Sequence, residues 1–143
     1  MIDGILLVDD EDLFHLVFED ACSILNISLS MEAVYSTDEA EELFVEWQKN
    51  PSGKPSCAFV DLNVIGSSFD GIELIRRVNV LYGNGIVIGI ISSSVDPEEI
   101  EKAQKAGAMF WIVKSDDIEP RLEQFHEDFS EYVERIRDFT VYR

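Results

Sequence analysis

Asp9 and Asp10, Asp61, Ser92 and Lys114 each stand at the end of a short apolar run, respectively Ile5-Leu6-Leu7-Val8, Phe59-Val60, Ile90-Ile91 and Ile112-Val113. Three carboxylates, a hydroxyl and an amine make a set with a shared chemistry. Ionised carboxylates brought together repel one another and raise their own pKa values unless a hard cation and a positive side chain neutralise them. Mg²⁺ and Lys114 would do both. Magnesium takes oxygen ligands in an octahedral array and retains waters, so a few carboxylates plus a phosphate suit it better than a full protein cage. The set fits a phosphoryl group.

Those residues converge only if the runs are neighbouring strands. Five runs, at residues 4–8, 29–34, 57–60, 86–91 and 109–113, have the length and β-branched content of strands. Helical periods lie between them. Leu13, Val17 and Ile24 are expected to line the buried face of the first helix, and Ala40, Leu43, Phe44 and Trp47 that of the second, with Ser36 and Glu39 as a capping box. Ile72, Ile75 and Val78 mark the third. Asp96-Pro97-Glu98-Glu99 opens a fourth whose stripe, Ile100 and Ala103, is thin. Ile118, Leu122, Phe125, Phe129, Val133 and Ile136 mark the fifth and longest, with Asp128 among the residues facing water.

Strands joined by helical crossovers are parallel, with right-handed connections that place helices on both faces. The fold class is therefore doubly wound α/β. Ligands of such sheets bind beyond the carboxyl ends of the strands, where the strand order reverses, and that is where the polar set lies. Residues 50–56 read as a surface loop, and residues 140–143 as a tail.

Composition narrows the function further. The chain has 143 residues, 29 acidic against 11 basic side chains and a formal net charge of −18. A single fold of this length buries roughly 68% of the surface its unfolded chain exposes, so one domain stabilises itself without disulfides or structural metal. The negative surface disfavours phosphate backbones and anionic lipids, which excludes nucleic acid and membrane surfaces as expected partners. Cys22 and Cys57 lack ligand or redox spacing and read as buried thiols. No basic leader or long apolar run is present, so a cytoplasmic location is expected.

The blocks Ile5-Leu6-Leu7-Val8-Asp9-Asp10, Phe59-Val60-Asp61, Ile90-Ile91-Ser92 and Ile112-Val113-Lys114 resemble those of the receiver domain of two-component response regulators. The resemblance spans about residues 2 to 138. It implies a flavodoxin-like five-stranded parallel sheet of order 2-1-3-4-5 with five helices, a single receiver domain over residues 1–143 and no output domain. By the same resemblance Asp61 is the phosphoacceptor, and Asp10 and Asp61 ligate Mg²⁺ directly, with Mn²⁺ as a substitute. Asn63 would add its backbone carbonyl and Asp9 would act through water. Ser92 and Lys114 would hold the phosphoryl oxygens, Ser92 and Trp111 would form the switch, and Asn63 and Ser94 would tune hydrolysis. The implied role is signalling rather than enzymatic turnover on other molecules. Its partners would be a histidine kinase or histidine phosphotransfer protein and a downstream protein target, and a homodimer is compatible with it.

Some positions depart from that pattern. Ser115 replaces the proline that usually follows the lysine, and a cis peptide, inexpensive before proline, costs about 2.5–4 kcal/mol elsewhere. Residues 62–71 lack the customary proline and are about one residue longer, with Gly66-Ser67-Ser68 expected to add flexibility beside Asp61. Ser92 and Ser93 stand where Thr and Ala are more usual. These departures leave room for a receiver-like interaction module that works without phosphorylation. A phosphatase with an aspartyl nucleophile fits less well, because Asn63 cannot serve as the second carboxylate such an enzyme needs for proton transfer. His15 and His126 read as surface or boundary residues. Gly83-Asn84-Gly85 precedes a strand rather than following one, so it is no dinucleotide fingerprint.

Overall fold

The computed structural model describes Ile2–Arg143. Strands and helices alternate as β1 (Ile5–Val8), α1 (Asp12–Leu25), β2 (Met31–Val34), α2 (Thr37–Lys49), β3 (Cys57–Val60), α3 (Gly71–Tyr82), β4 (Val87–Ser92), α4 (Pro97–Ala106), β5 (Phe110–Val113), α5 (Glu119–Glu134) and β6 (Thr140–Tyr142). The strands form one sheet of order β2-β1-β3-β4-β5-β6, and each neighbouring pair is parallel. The expected five-stranded order is present, but a sixth strand stands where a tail was expected. β6 pairs Phe110 with Thr140, Trp111 with Val141 and Ile112 with Tyr142, so β5 is an interior strand.

The sixth strand forms because its side chains have places to go. Tyr142 is buried against α5, where its hydroxyl donates to Asp128 Oδ2 at 2.7 Å and lies 3.0 Å from the Tyr132 hydroxyl. Arg137 Nη2 sits 2.8 Å from the same carboxylate. Asp128, expected in water, is therefore buried. The inward face of α5 runs Ile118, Leu122, Phe125, Asp128 and Tyr132, while Val133 and Ile136 are exposed. Over the last turns the buried stripe lies one residue before the expected Phe129 and Val133, because the polar–aromatic cluster holding β6 replaces an apolar contact.

A similar rotation separates expectation from structure in α1. Leu13 and Ile24 are exposed, and the buried face is Phe14, Phe18, Ala21 and Cys22. Both stripes have helical spacing, but only the second offers aromatic rings to the core. Phe18, Phe110 and Phe125 surround Phe59 with ring centroids 5.0, 5.4 and 5.3 Å from it. Gly89 in β4 makes room for this cluster, since a Cβ there would meet the Phe110 ring at 2.6 Å. On the opposite face α2, α3 and α4 cover Leu6, Val8, Val60, Ile88, Ile90 and Trp111.

The helix starts read at Ser36 and Asp96 act as expected, and Asp70 plays the same part for α3. Ser36, Asp70 and Asp96 accept backbone N–H bonds at the starts of α2, α3 and α4. Cys22 and Cys57 are free and buried. No helix among the described residues is long and apolar enough to cross a membrane.

Candidate functional site

Backbone bonds that continue the ladder past the strand ends bring the site together. Asp9 N–H donates to Val34 O at 3.1 Å, Asp61 N–H to Val8 O at 2.9 Å, and Lys114 N–H to Ser92 O at 2.8 Å. These bonds fix the first residue after β1, β3 and β5 beside the point where the chain turns to opposite sides of β1. Lys114 then reaches back across the pocket. Its Nζ is 2.7 Å from Asp9 Oδ2, 3.6 Å from Asp61 Oδ2 and 3.7 Å from Glu11 Oε1, and it lies 4.2 Å above the Phe14 ring.

The two inner carboxylates are not equivalent. Asp9 is fully buried, with Glu11 N–H donating to Oδ1 at 2.8 Å and Lys114 to Oδ2. Asp61 receives only the Leu62 N–H, at 2.9 Å on Oδ1. Its Oδ2 faces Lys114 from beyond hydrogen-bond length. Burial, and then the charge of Asp9, push the Asp61 carboxyl up to about 7, against the pull of Lys114 and the Leu62 N–H. Burial works against the Lys114 charge, but the hydrogen bond to Asp9 and the charges of Asp61, Asp9 and Glu11 outweigh it and raise its pKa. Lys114 therefore stays an ammonium.

Asp9, Glu11 and Asp61 each present a carboxylate oxygen within 4.8 Å of the others. An all-oxygen donor set with one carboxylate oxygen lacking a donor fits a hard divalent ion. Glu11 was not singled out from the sequence, although an acid directly after an Asp-Asp pair was the available signal. Asp10 lies outside that group, is half-buried, and adds a smaller charge effect at Asp61 than Asp9 does. Asn63 is exposed two residues after Asp61.

His15 is a second residue that sequence reasoning misplaced. It is buried, not at the surface, and its Nε2 lies 2.6 Å from the Asp9 backbone carbonyl oxygen. A carbonyl only accepts, so Nε2 carries the proton in this contact. The ring stacks on Tyr35 at 4.3 Å. His126 is half-buried, as expected.

The loop after β3 is held rather than loose. Thr37, fully buried at the start of α2, donates its hydroxyl to Phe69 O at 2.7 Å and its N–H to Ser67 Oγ at 3.0 Å. Ser68 N–H donates to Asp38 Oδ2 at 2.8 Å, a bond that holds the Asp38 carboxyl below its usual value. Arg77 stacks 3.8 Å over Phe69. The serines that suggested flexibility are thus the tethering groups. Gly71 closes the loop: its N–H bonds Leu62 O at 2.9 Å, and a Cβ there would lie 2.1 Å from the Asp61 carbonyl oxygen. Only glycine lets α3 start this close to Asp61.

Ser92 is buried, and its Oγ accepts the Ser94 N–H at 3.1 Å. Ser94 O in turn accepts the Trp111 indole N–H at 3.1 Å, and Ser94 Oγ donates to Glu99 Oε1 at 2.8 Å. A continuous polar path therefore links Ser92, the loop before α4 and the fully buried Trp111 ring. All peptide bonds among the described residues are trans, including Lys114–Ser115. A groove of about 270 Å³ opens beside the site, lined by Glu11, Phe14, Val17, Ser93, Lys114 and Ser115 among others.

A family model described as "Response regulator receiver domain" matches residues 5–124. The chain belongs to this family. No curated protein matches it in sequence. Among solved structures, the receiver domain of NtrX from Brucella abortus is similar at 22% identity and a TM-score of 0.67, over 91% of this chain and 98% of that one. A CheY-like receiver domain protein from Methanospirillum hungatei matches at 19% identity and a TM-score of 0.70, over 94% and 99%. The phosphorylated cyanobacterial phytochrome response regulator RcpA matches at 18% and 0.70, over 96% and 97%. Against longer NtrX from Brucella abortus the chain covers 29% of that protein's length, at 20% identity and a TM-score of 0.72. These likenesses are of fold, and the expected receiver architecture is present with β6 added to its edge.

Proposed function

We propose that this receiver accepts a phosphoryl group on Asp61 from a phosphohistidine and passes the event to a protein target through the loop between β4 and α4. The observation that carries the reading is the asymmetry of the inner carboxylates. Asp9 has donors on both oxygens, whereas Asp61 Oδ2 has none and is held 3.6 Å from an ammonium.

In the proposed step Asp61 Oδ2 forms a bond to phosphorus as the phosphorus–nitrogen bond of the donor imidazole breaks, and the imidazole nitrogen keeps the electron pair. The transition state spreads charge over three phosphoryl oxygens, so positioning and charge neutralisation supply most of the rate. Lys114 takes one oxygen and Ser92 another. Asp9, Glu11 and Asp61 would hold Mg²⁺, with Asp10 and the Asn63 carbonyl as further ligands by family resemblance. The bound ion supplies charge neutralisation for an anionic group entering an acidic pocket. Asp9 keeps Lys114 aimed inward, and His15 braces the Asp9 backbone.

The signal follows from the same hydrogen bonds. A phosphoryl group carrying about −1.5 to −2 charge attracts the Ser92 hydroxyl, which in its present position accepts from Ser94 N–H. Turning Ser92 toward the phosphoryl group disturbs that bond, and with it the Ser94 carbonyl that holds the Trp111 indole. By family resemblance, Asn63 and Ser94 would influence water access to the acyl phosphate. Leu13, exposed on α1 and lining the groove beside Lys114, would offer an apolar rim for the phosphohistidine-bearing protein.

Beryllofluoride with Mg²⁺ tests this reading. Amide shifts are expected at Ser92, Ser94 and Val95 together with a shift of the Trp111 indole N–H resonance. Shifts that stop at Asp61 and its sequence neighbours would instead favour an interaction module without a switch.

A further inference from the structure

Among the described residues the outer edge of β6 has no strand partner, because β6 ends the sheet. Beside it opens a cleft of about 390 Å³ lined by Pro120, Arg121, Gln124, Arg137 and residues 140–143. Three guanidinium groups and no acidic side chain line it, in a chain with 29 acidic and 11 basic residues. The contrast with the cleft beside β2 is direct, since Glu32, Glu39 and Glu42 line that one.

The three arginines have different commitments. Arg137 is consumed by the fold, bonded to Asp128 and Glu131. Arg121 meets no carboxylate: its Nη1 donates to Ser115 Oγ and the Asp117 carbonyl, and its Nε is buried without a partner. Arg143 is exposed. Neither Arg121 nor Arg143 is bridged to a carboxylate among the described residues, at an edge whose backbone groups are also free.

We infer that this edge binds an extended acidic segment of a partner protein, which adds as a seventh strand along β6 and places its carboxylates on Arg121 and Arg143. Strand addition draws affinity from main-chain hydrogen bonds and selects by the side chains beside them. A second copy of this chain is a poorer occupant. Its β6 edge carries the same arginines and no acidic side chain, so it offers them no carboxylate. The acids elsewhere on the surface do not cancel the local attraction at physiological salt, where the screening length is about 8 Å.

The test uses the whole chain and a fluorescent peptide of alternating Glu and Val, with a Lys–Val peptide of equal length as the control. Saturable binding of the acidic peptide alone is expected, with amide shifts centred on Thr140–Tyr142 and the first turn of α5. Arg121→Glu, half-buried in the first turn of α5, and Arg143→Glu, exposed beyond β6, are each expected to weaken it about tenfold. Phosphorylation of Asp61 by a small-molecule phosphodonor should be unchanged in Arg143→Glu. No binding, equal binding of the Lys–Val peptide, indifference to both reversals, or self-association through β6 would each overturn the inference. The reading of Asp61 stands or falls separately.

Discussion

Two carboxylates are buried at opposite ends of this molecule's polar economy, Asp61 beyond β3 and Asp128 inside α5. Asp128 receives the Tyr142 hydroxyl and the Arg137 guanidinium within 2.8 Å and serves to hold a strand. Asp61 is equally buried but keeps one oxygen without a donor, beside the buried Asp9. The first group is satisfied, and the second is short of positive charge. Under the proposed function the site gains a cation and an anion in turn and so is under-satisfied beforehand, whereas a structural clasp is not.

The largest expected effect comes from depriving the unsatisfied site of its cation. Lys114→Met leaves Asp9 and Asp61 buried without their ammonium and should cost about 3 kcal/mol in urea unfolding at pH 8 without divalent ions. At pH 5 the cost should shrink, because Asp61 takes up a proton.

The same Asp→Asn change should then have opposite signs in the two places. The native Asp61 carboxyl titrates at about 7 against a reference of 3.8, so the native state holds an extra proton between those values and stability falls as pH rises through that window. Asp61→Asn should therefore be about 2 kcal/mol more stable than the parent at pH 8 without metal, and no more stable at pH 4. Asp128→Asn should instead lose about 1.5 kcal/mol at pH 8, since charge-assisted bonds from Tyr142 and Arg137 are weakened. Equal signs in thermal melts would break the comparison. The smallest effect is expected from Thr37→Val, about 1 kcal/mol, read as faster amide exchange at residues 66–69 when the Phe69 carbonyl loses its donor.

How far the sequence displays this arrangement differs between the two regions. The pocket is legible because strand ends are: an acid, hydroxyl or amine directly after a β-branched run has its position set by the parallel ladder. Asp9, Asp61 and Lys114 needed no tertiary detail beyond that. Glu11 and His15 were missed because their roles depend on how α1 is rotated, and α1 carries two helical stripes whose difference is ring size rather than period. The clasp was illegible for a related reason. Asp128 looks like any acid on an amphipathic helix until Tyr142 and Arg137 arrive from a segment too short to announce a strand. The serines of the loop after β3 misled because composition suggests freedom, while their bonding partners, Thr37 and Asp38, lie about 30 residues away.

Incubation with Mg²⁺ and a small-molecule phosphodonor, followed by mass spectrometry of the intact and digested chain, bears most directly on the central claim. One base-labile phosphoryl group on Asp61 is expected, absent in Asp61→Asn and absent when the divalent ion is chelated. Undiminished labelling of the Asn variant, or no labelling of the parent protein under conditions that modify another receiver, would contradict the account.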